Sequence, residues 1–393
     1  MNRNLWTGKF ILSLSILFGI SLVSNMVLST LTVFAKNLTQ VDTYAGLMTT
    51  IFTIAALSVR LFAGMLLDRF NCKKVVVTGL FLMLCSTILF LSCQDIYAAL
   101  FFRGIQGVGF GISSTGASTY IVKNLDPKYI LEGVGYSSIA NGITAVIGPS
   151  LGYYLIGVRY DNFTNLFVAV SIMTSVLIGL MIVGKEPVTQ INYKSHKIAT
   201  VPIDMRCLAI PLVLLFLNAL TQSGVVSFIS LYAISLGFGS IGMFFSVNAV
   251  GIITSRFFMN RLVRKYGKFT MIALNSLVFS ISIFFISRVQ TNIQLIVLAF
   301  PAGFAMGSIA PIINTYIVES LPLEKMGLGN AMYYSGLDLG YGLGSFVLGI
   351  IALNYSYSHV FLTGAIIQLI CCALALAYHY NAKKNYLTEN ISQ

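Results

Sequence analysis

The sequence predicts an all-α integral membrane protein: twelve transmembrane helices built as two parallel six-helix repeats, with both termini in the cytoplasm. Three observations predict this. The composition is that of a chain solvated by lipid, lysine and arginine alternate in abundance from loop to loop, and short strings recur half a chain apart.

Apolar residues make up 57% of the 393 residues and charged residues 9%, against about 25% charged in a soluble domain. With a mean hydropathy of +0.86, the chain has too few polar groups to cover a water-facing surface, so a bilayer is its expected solvent. The formal net charge of +12 does not point to nucleic acid, because the basic residues punctuate long apolar segments instead of forming one stripe. Cys72, Cys85, Cys93, Cys207, Cys371 and Cys372 lack metal-ligand spacing, and most lie in apolar segments. Neither disulfides nor a metal site is expected.

The N-terminal stretch MNRNLWTGKFILSLSILFGISLVS has the basic start and apolar run of a signal peptide, without a clear small-residue cleavage site. Eleven comparable segments follow it, so it reads as the first membrane helix. Segments of about 20 apolar residues suffice to cross a bilayer. They fall near 10–35, 44–67, 73–94, 96–122, 131–157, 163–184, 207–235, 239–262, 268–288, 292–318, 326–352 and 358–380.

The N-terminus, the even-numbered loops and the C-terminus carry eighteen lysines and arginines. The odd-numbered loops carry three: Lys36, Arg159 and Arg288. Basic residues stay on the cytoplasmic side, which puts both termini there. The remaining three of the 24, Arg60, Arg103 and Arg256, fall inside predicted helices. The longest polar connection, 185–206, is a cytoplasmic linker between an N-terminal bundle (1–184) and a C-terminal bundle (207–380), with a cytoplasmic tail at 381–393.

The string TYIV occurs at Thr119–Val122 and again, 196 residues later, at Thr315–Val318. The same ungapped shift carries Arg60 to Arg256, Gly46 to Gly242, Gly107 to Gly303, Gly111 to Gly307, Gly133 to Gly329 and Gly148 to Gly344. Shared apolar letters would mean little, but a rare intramembrane arginine and a set of glycines indicate a duplicated six-helix unit. Parallel repeats of this kind occur in transporters that rock around a central site.

Three strings carry a family resemblance. GMLLDRFNCKK (Gly64–Lys74), between helices 2 and 3, matches the loop motif G-x-L-x-D-R-x-G-R/K-R/K. RGIQGVGFG (Arg103–Gly111), in helix 4, matches R-x-x-x-G-x-G. GPSLGYYL (Gly148–Leu155), in helix 5, is similar to the antiporter signature G-P-x-x-G-G. Over essentially its whole length the chain resembles the major facilitator superfamily, most closely its twelve-helix proton-coupled efflux branch. It departs from the pattern at several places. Asn71 stands where the loop glycine is usual, and asparagine tolerates the left-handed backbone expected there. Tyr153 replaces the last glycine of the antiporter signature, and the second copy of the loop, NRLVRKYGK, has Arg264 where the first has Asp68.

The resemblance implies roles for several residues. Gly64, Asp68, Arg69, Lys73 and Lys74 would form a cytoplasmic gate, with the Asp68 carboxylate latching against helix 11. Gly148, Pro149 and Gly152 would form the antiporter-like motif, and Arg103 would face the central cavity and assist proton transfer. From the residues alone, Arg103 could instead snorkel to the outer surface. Asp338 is the acid placed deep in an apolar span. A carboxylate in low dielectric can load and unload a proton near neutral pH, which makes Asp338 the best proton-carrier candidate; the bland alternatives are a partner to a buried arginine and a cap for a helix kink among the glycines. Helix 1, where many relatives keep an acid, has none. Arg60 and Arg256, at equivalent places, suit the gate or an interface better than substrate contact. Asn25, Asn141, Asn218, Gln222 and Asn314 are the expected cavity-lining amides, because an amide facing lipid is expensive.

The expected function is secondary active transport: proton-coupled efflux of a small organic molecule across a bacterial plasma membrane by alternating access. A proton-coupled importer or uniporter of the same fold is the alternative. An integral membrane enzyme is the remote one, since His196, His359 and His379 are scattered. No P-loop string is present. No catalytic residues, metal, cofactor or nucleic-acid partner are expected. The expected partners are the bilayer, a small-molecule substrate and protons, and the resemblance implies a monomer.

Overall fold

The computed structural model describes residues 5–39, 41–125, 129–157, 159, 161–184, 205–239, 241–321 and 326–391. Among these the chain forms twelve α-helices. In order they are α1 (Gly8–Thr39), α2 (Asp42–Arg69), α3 (Cys72–Phe90), α4 (Ile96–Lys123), α5 (Ile130–Ile156) and α6 (Phe163–Val183). Then come α7 (Met205–Ser235), α8 (Ile241–Tyr266), α9 (Lys268–Ile286), α10 (Asn292–Glu319), α11 (Met326–Asn354) and α12 (Tyr357–Ile391). Eleven of them, all but α2, hold a stretch long and apolar enough to cross a membrane. Most of the expected linker, 185–204, lies outside the described residues.

Helix ends follow local chemistry. Asp95 caps α4 by accepting from the Ala98 N–H at 2.9 Å, and Asn71 caps α3 by accepting from Lys73 N–H at 2.9 Å. Asn71 has φ −59° and ψ 127°, so the left-handed backbone expected there is corrected. The asparagine is used for its side-chain oxygen. Gly267, 196 residues on, does take a positive φ of 86° as it leads into α9. The apolar part of α12 ends at Tyr380, yet the helix continues to Ile391. Residues 381–391 include Ala, Lys, Leu and Glu, which favour helix without any need of lipid.

The chain divides into two compact units, Met1–His196 and Lys197–Gln393. In the first, α1 packs on α5, α2 on α4, and α3 on α4 and α6. In the second, α7 packs on α11, α8 on α10, and α9 on α10 and α12. The core of the first joins Phe10, Ile16, Val76, Leu80, Ile121 and Met181. That of the second joins Leu214, Leu215, Ile272, Ile313, Ile317 and Ala375. Large apolar side chains also cover the outside, among them Phe257, Val183 and Ile293, as a lipid-facing surface requires.

Lipid gives helices no hydrophobic reason to associate, so close packing and hydrogen bonds must supply it. Glycines provide the approach. A Cβ on Gly107 would fall 2.4 Å from the Phe52 oxygen, and one on Gly303 would fall 2.0 Å from the Asn248 oxygen. Phe52 and Asn248 are themselves 196 residues apart, so one offset relates both members of the two contacts. Gly133 against Leu125 and Gly329 against Leu321 repeat the pattern.

Candidate functional site

The polar side chains that bear on the expected site form three groups. The first is built around Arg103 on α4. Because Gly107 and Gly111 press α4 onto the backbone of α2, at Phe52 and Ala56, the arginine can reach an α2 carbonyl. Its Nε donates to Met48 O at 3.1 Å, and Nη1 donates to Gln106 Oε1. Gln106 Nε2 donates in turn to Thr87 Oγ1 on α3, at 3.2 Å. The Phe52 ring centroid lies 4.0 Å from the guanidinium carbon, close enough for a cation–π attraction. Arg103 is fully buried, so its stem does not snorkel to the surface. Its Nη2 has no hydrogen-bond partner among the described residues.

The second group joins α1 to α5. Ser21 Oγ donates to Asn141 Oδ1 at 2.6 Å. Asn25 Nδ2 donates to the Ser21 carbonyl at 2.8 Å and to Thr144 Oγ1 at 3.4 Å. Gly148 and Gly152 let α5 close on this face: added Cβ atoms would meet Asn25 Cβ at 2.6 Å and Met26 O at 2.5 Å. Pro149, between them, lies inside the helix and is buried. Tyr153, the departure from the antiporter signature, donates its hydroxyl to Ser29 O on α1 at 2.8 Å.

The third group lies on α7, α10 and α11. Tyr341 donates to Gln222 Oε1 at 2.8 Å, and Gln222 Nε2 reaches Met306 O at 3.4 Å. Asn218, one turn earlier on α7, is fully buried, and neither of its amide atoms has a partner among the described residues. Asn314 is half-buried, with Oδ1 unpartnered. Asp338 is half-buried on α11. The α7-facing side of α11 is marked by Gly336, Gly340 and Gly344, whose added Cβ atoms would meet Leu215, Ala219 and Ser223. Asp338 stands two residues from the first two of these glycines, about 200° around the helix, and so faces away from α7.

The gate residues separate. The side chains of Asp68 and Arg69, and the surroundings of Gly64, lie outside the described residues. Lys73 Nζ donates to the carbonyls of Ile182 and Gly184 at 2.6 and 2.8 Å, capping the C-terminal end of α6 where a cation complements the helix dipole. Lys74 is exposed. Arg60 is half-buried with its guanidinium 5.5 Å from the Phe110 ring centroid, whereas Arg256 is exposed on α8.

Thus Asn25 and Asn141 come together, as do Asn218 and Gln222 on one helix, while Arg103 is held apart from the other candidates. Sequence reading missed Gln106, although it stands inside the quoted helix 4 motif three residues after Arg103, the spacing that brings helical side chains together. It also missed Thr87 and Tyr341, single residues with no distinguishing pattern around them.

A family profile described as Major Facilitator Superfamily matches residues 13–286 and 212–390. The staphylopine export protein of Staphylococcus aureus is 22% identical over 352 residues, covering 84% of this chain and 85% of its own length. Multidrug resistance protein 1 of Bacillus subtilis is 23% identical, covering 82% and 85%. The quinolone resistance protein NorA of Staphylococcus aureus is 23% identical over 385 residues, covering 94% and 97%. Among solved structures, the nucleoside transporter NupG aligns with a TM-score of 0.76 at 14% identity, covering 94% of this chain and 99% of that one. A bacterial homolog of the human lysosomal transporter Spinster, in an inward-facing and unoccupied conformation, aligns at 0.71 and 12%, covering 96% and 97%. The structural likeness is one of fold. The apolar helices and the bacterial relatives make the chain a multi-pass protein of the plasma membrane.

Proposed function

The chain belongs to the major facilitator superfamily, and from that membership we propose that it is a proton-coupled exporter of a small organic molecule, working by alternating access. The family moves solutes and is not a family of enzymes. Relatives named for staphylopine export, multidrug resistance and quinolone resistance support outward transport over import.

The observation that carries the coupling is Asp338. It is a carboxyl group half-buried in an apolar span, on the face of α11 turned from α7, and an ionisable group so placed is a natural proton carrier. Arg103 is the second coupling residue, a fixed positive charge held by α2, α3 and α4. Asn25, Asn141, Asn218, Gln222 and Asn314 provide polar contacts for the substrate. Gly148, Pro149 and Gly152 let α5 move against α1. Gly64, Asp68, Arg69, Lys73 and Lys74 form the cytoplasmic gate, in which Lys73 anchors α3 to the end of α6. Arg60 and Arg256 steady the ends of α2 and α8.

With Asp338 as the one acid, and two or three arginines, expected to reach the cavity, multiply cationic substrates are disfavoured and neutral, amphipathic or anionic ones are left. Flux direction tests this reading. Inverted vesicles energised by respiration, offered labelled compounds of those classes, are expected to accumulate one of them until the pH gradient is collapsed. Accumulation only in right-side-out vesicles would make the protein an importer.

A further inference from the structure

Away from the coupling residues, the second unit holds a group of buried polar atoms without protein partners among the described residues; the transport reading uses one residue of the group, Asn218, and leaves the other two unexplained. Asn218 on α7, Ser276 on α9 and Gln368 on α12 are all fully buried. Five of their atoms lack any hydrogen-bond partner among the described residues: both amide atoms of Asn218, both of Gln368, and Ser276 Oγ.

Helix packing brings the three to one level. A Cβ on Gly364 of α12 would lie 3.2 Å from Thr221 Cγ2 on α7 and 3.3 Å from Ile283 Cδ1 on α9. One residue on, the Ala365 carbonyl accepts from Ser280 Oγ of α9 at 2.7 Å. Moving one turn along each helix in the shared direction leads from Thr221 back to Asn218, from Gly364 on to Gln368, and from Ser280 back to Ser276. Steps of three and four residues keep a side chain on the same face, so all three look into the seam between α7, α9 and α12.

The fold does not require polar residues here. Leu22 and Leu80 hold the positions 196 before Asn218 and Ser276, and both are buried. On α6, Val170, Thr174, Leu177 and Met181 are buried with the spacing that Gly364, Gln368, Cys371 and Ala375 show on α12. Thr174, which holds the place of Gln368 in this burial spacing although Ile172 stands 196 residues before it, satisfies itself by donating to Val170 O at 2.8 Å. The first unit therefore closes the seam with apolar or self-bonded side chains, whereas the second places two amides and a hydroxyl there without partners among the described residues.

An unmet amide in a membrane interior is expensive, and buried polar atoms with no protein partner are usually met by ordered water. The five atoms include donors and acceptors, which water can serve together. They include no charged group, so a bound ion would be uncompensated in low dielectric. We propose a buried hydration site between α7, α9 and α12, in which bound water bridges Asn218, Ser276 and Gln368. Such water keeps the amides satisfied while α12 shifts against α7 and α9.

Radiolytic hydroxyl labelling of the purified full-length protein in detergent tests this, because radicals formed from bound water mark side chains that bulk solvent cannot reach. Cys371 and Phe279 stand one turn from Gln368 and Ser276 on the same helices and are almost fully buried. Dose-dependent oxidation at either is expected, and is expected to be lost in Asn218→Leu/Gln368→Leu. Absence of labelling in wild type, or labelling unchanged in the double variant, would overturn the site. Should that variant not fold, Ser276→Ala, which removes one hydroxyl, is expected to weaken the labelling, and unchanged labelling there overturns the site equally. Labelling that falls when sodium replaces choline, with a matching rise in melting temperature, would replace water by a cation.

Discussion

Tyr153 on α5 donates its hydroxyl to the main-chain oxygen of Ser29 on α1, at 2.8 Å. The tyrosine stands where the antiporter signature has its last glycine, so a residue that breaks the motif makes a hydrogen bond across the interface the motif serves. Gly148 and Gly152 bring the two backbones together, and Tyr153 fastens them one residue further on. Tyr153→Phe keeps the ring but removes the hydroxyl that donates to the Ser29 oxygen, and should cost about 1 kcal/mol. Tyr153→Gly restores the signature but also removes a buried aromatic ring, and should cost about 3–5 kcal/mol. Melting temperatures in detergent are expected to rank wild type, Phe, then Gly. A glycine variant as stable as wild type would refute this role.

Gly107 is the contact on which the α2–α4 interface depends. A methyl group there would meet the Phe52 carbonyl at 2.4 Å and Ala55 Cβ at 3.0 Å, and backbone cannot swing aside as a flexible side chain can. Gly107→Ala should lose about 1–3 kcal/mol to overpacking. Gly135→Ala, with nothing within 4 Å of the new Cβ, serves as the control and should be neutral or slightly stabilising. Equal expression and melting temperatures for the two variants would contradict the assignment.

Arg103 and Gln106 act as a unit. Gln106→Leu takes the acceptor from Nη1 and the donor from Thr87, leaving a buried cation less satisfied, at a cost of about 1–3 kcal/mol or more. Arg103→Met removes the charge itself. The double variant Arg103→Met/Gln106→Leu should therefore be more stable than the sum of the single losses predicts, since no buried charge remains. Strictly additive melting shifts would show that the two side chains do not interact.

Lys73 ties α3 to the end of α6 through two carbonyls. The bonds lie near the surface, so Lys73→Met should cost only about 0.3–1 kcal/mol, and salt should reduce the difference from wild type. A difference that grows with salt would rule out a dipole interaction at this cap.

Most helix positions were legible in the sequence because a span needs about 20 apolar residues, and eleven of the twelve helices hold such a run. The one large difference, the extension of α12 to Ile391, arises where apolar content stops but helix propensity does not. The 196-residue offset was legible, and Gly107 and Gly303 press on residues that obey the same shift, but which residues they press on was not. Hydrogen-bond partners were not. Tyr341 became the partner of Gln222 only through the packing of α11 on α7, and nothing local to either residue marks the pairing. Asn71 was misread because its usual replacement, glycine, suggested a backbone need, whereas the helix start needed an acceptor.

The central claim, export driven by proton exchange at Asp338, is tested most directly by proton release in inverted vesicles. A substrate found by the flux assay is added to a respiration-generated pH gradient, with wild type and Asp338→Asn at matched expression. The account predicts substrate-dependent proton release in wild type and none in the variant, with substrate binding retained. Release that persists undiminished in Asp338→Asn would contradict it and move the proton to another group.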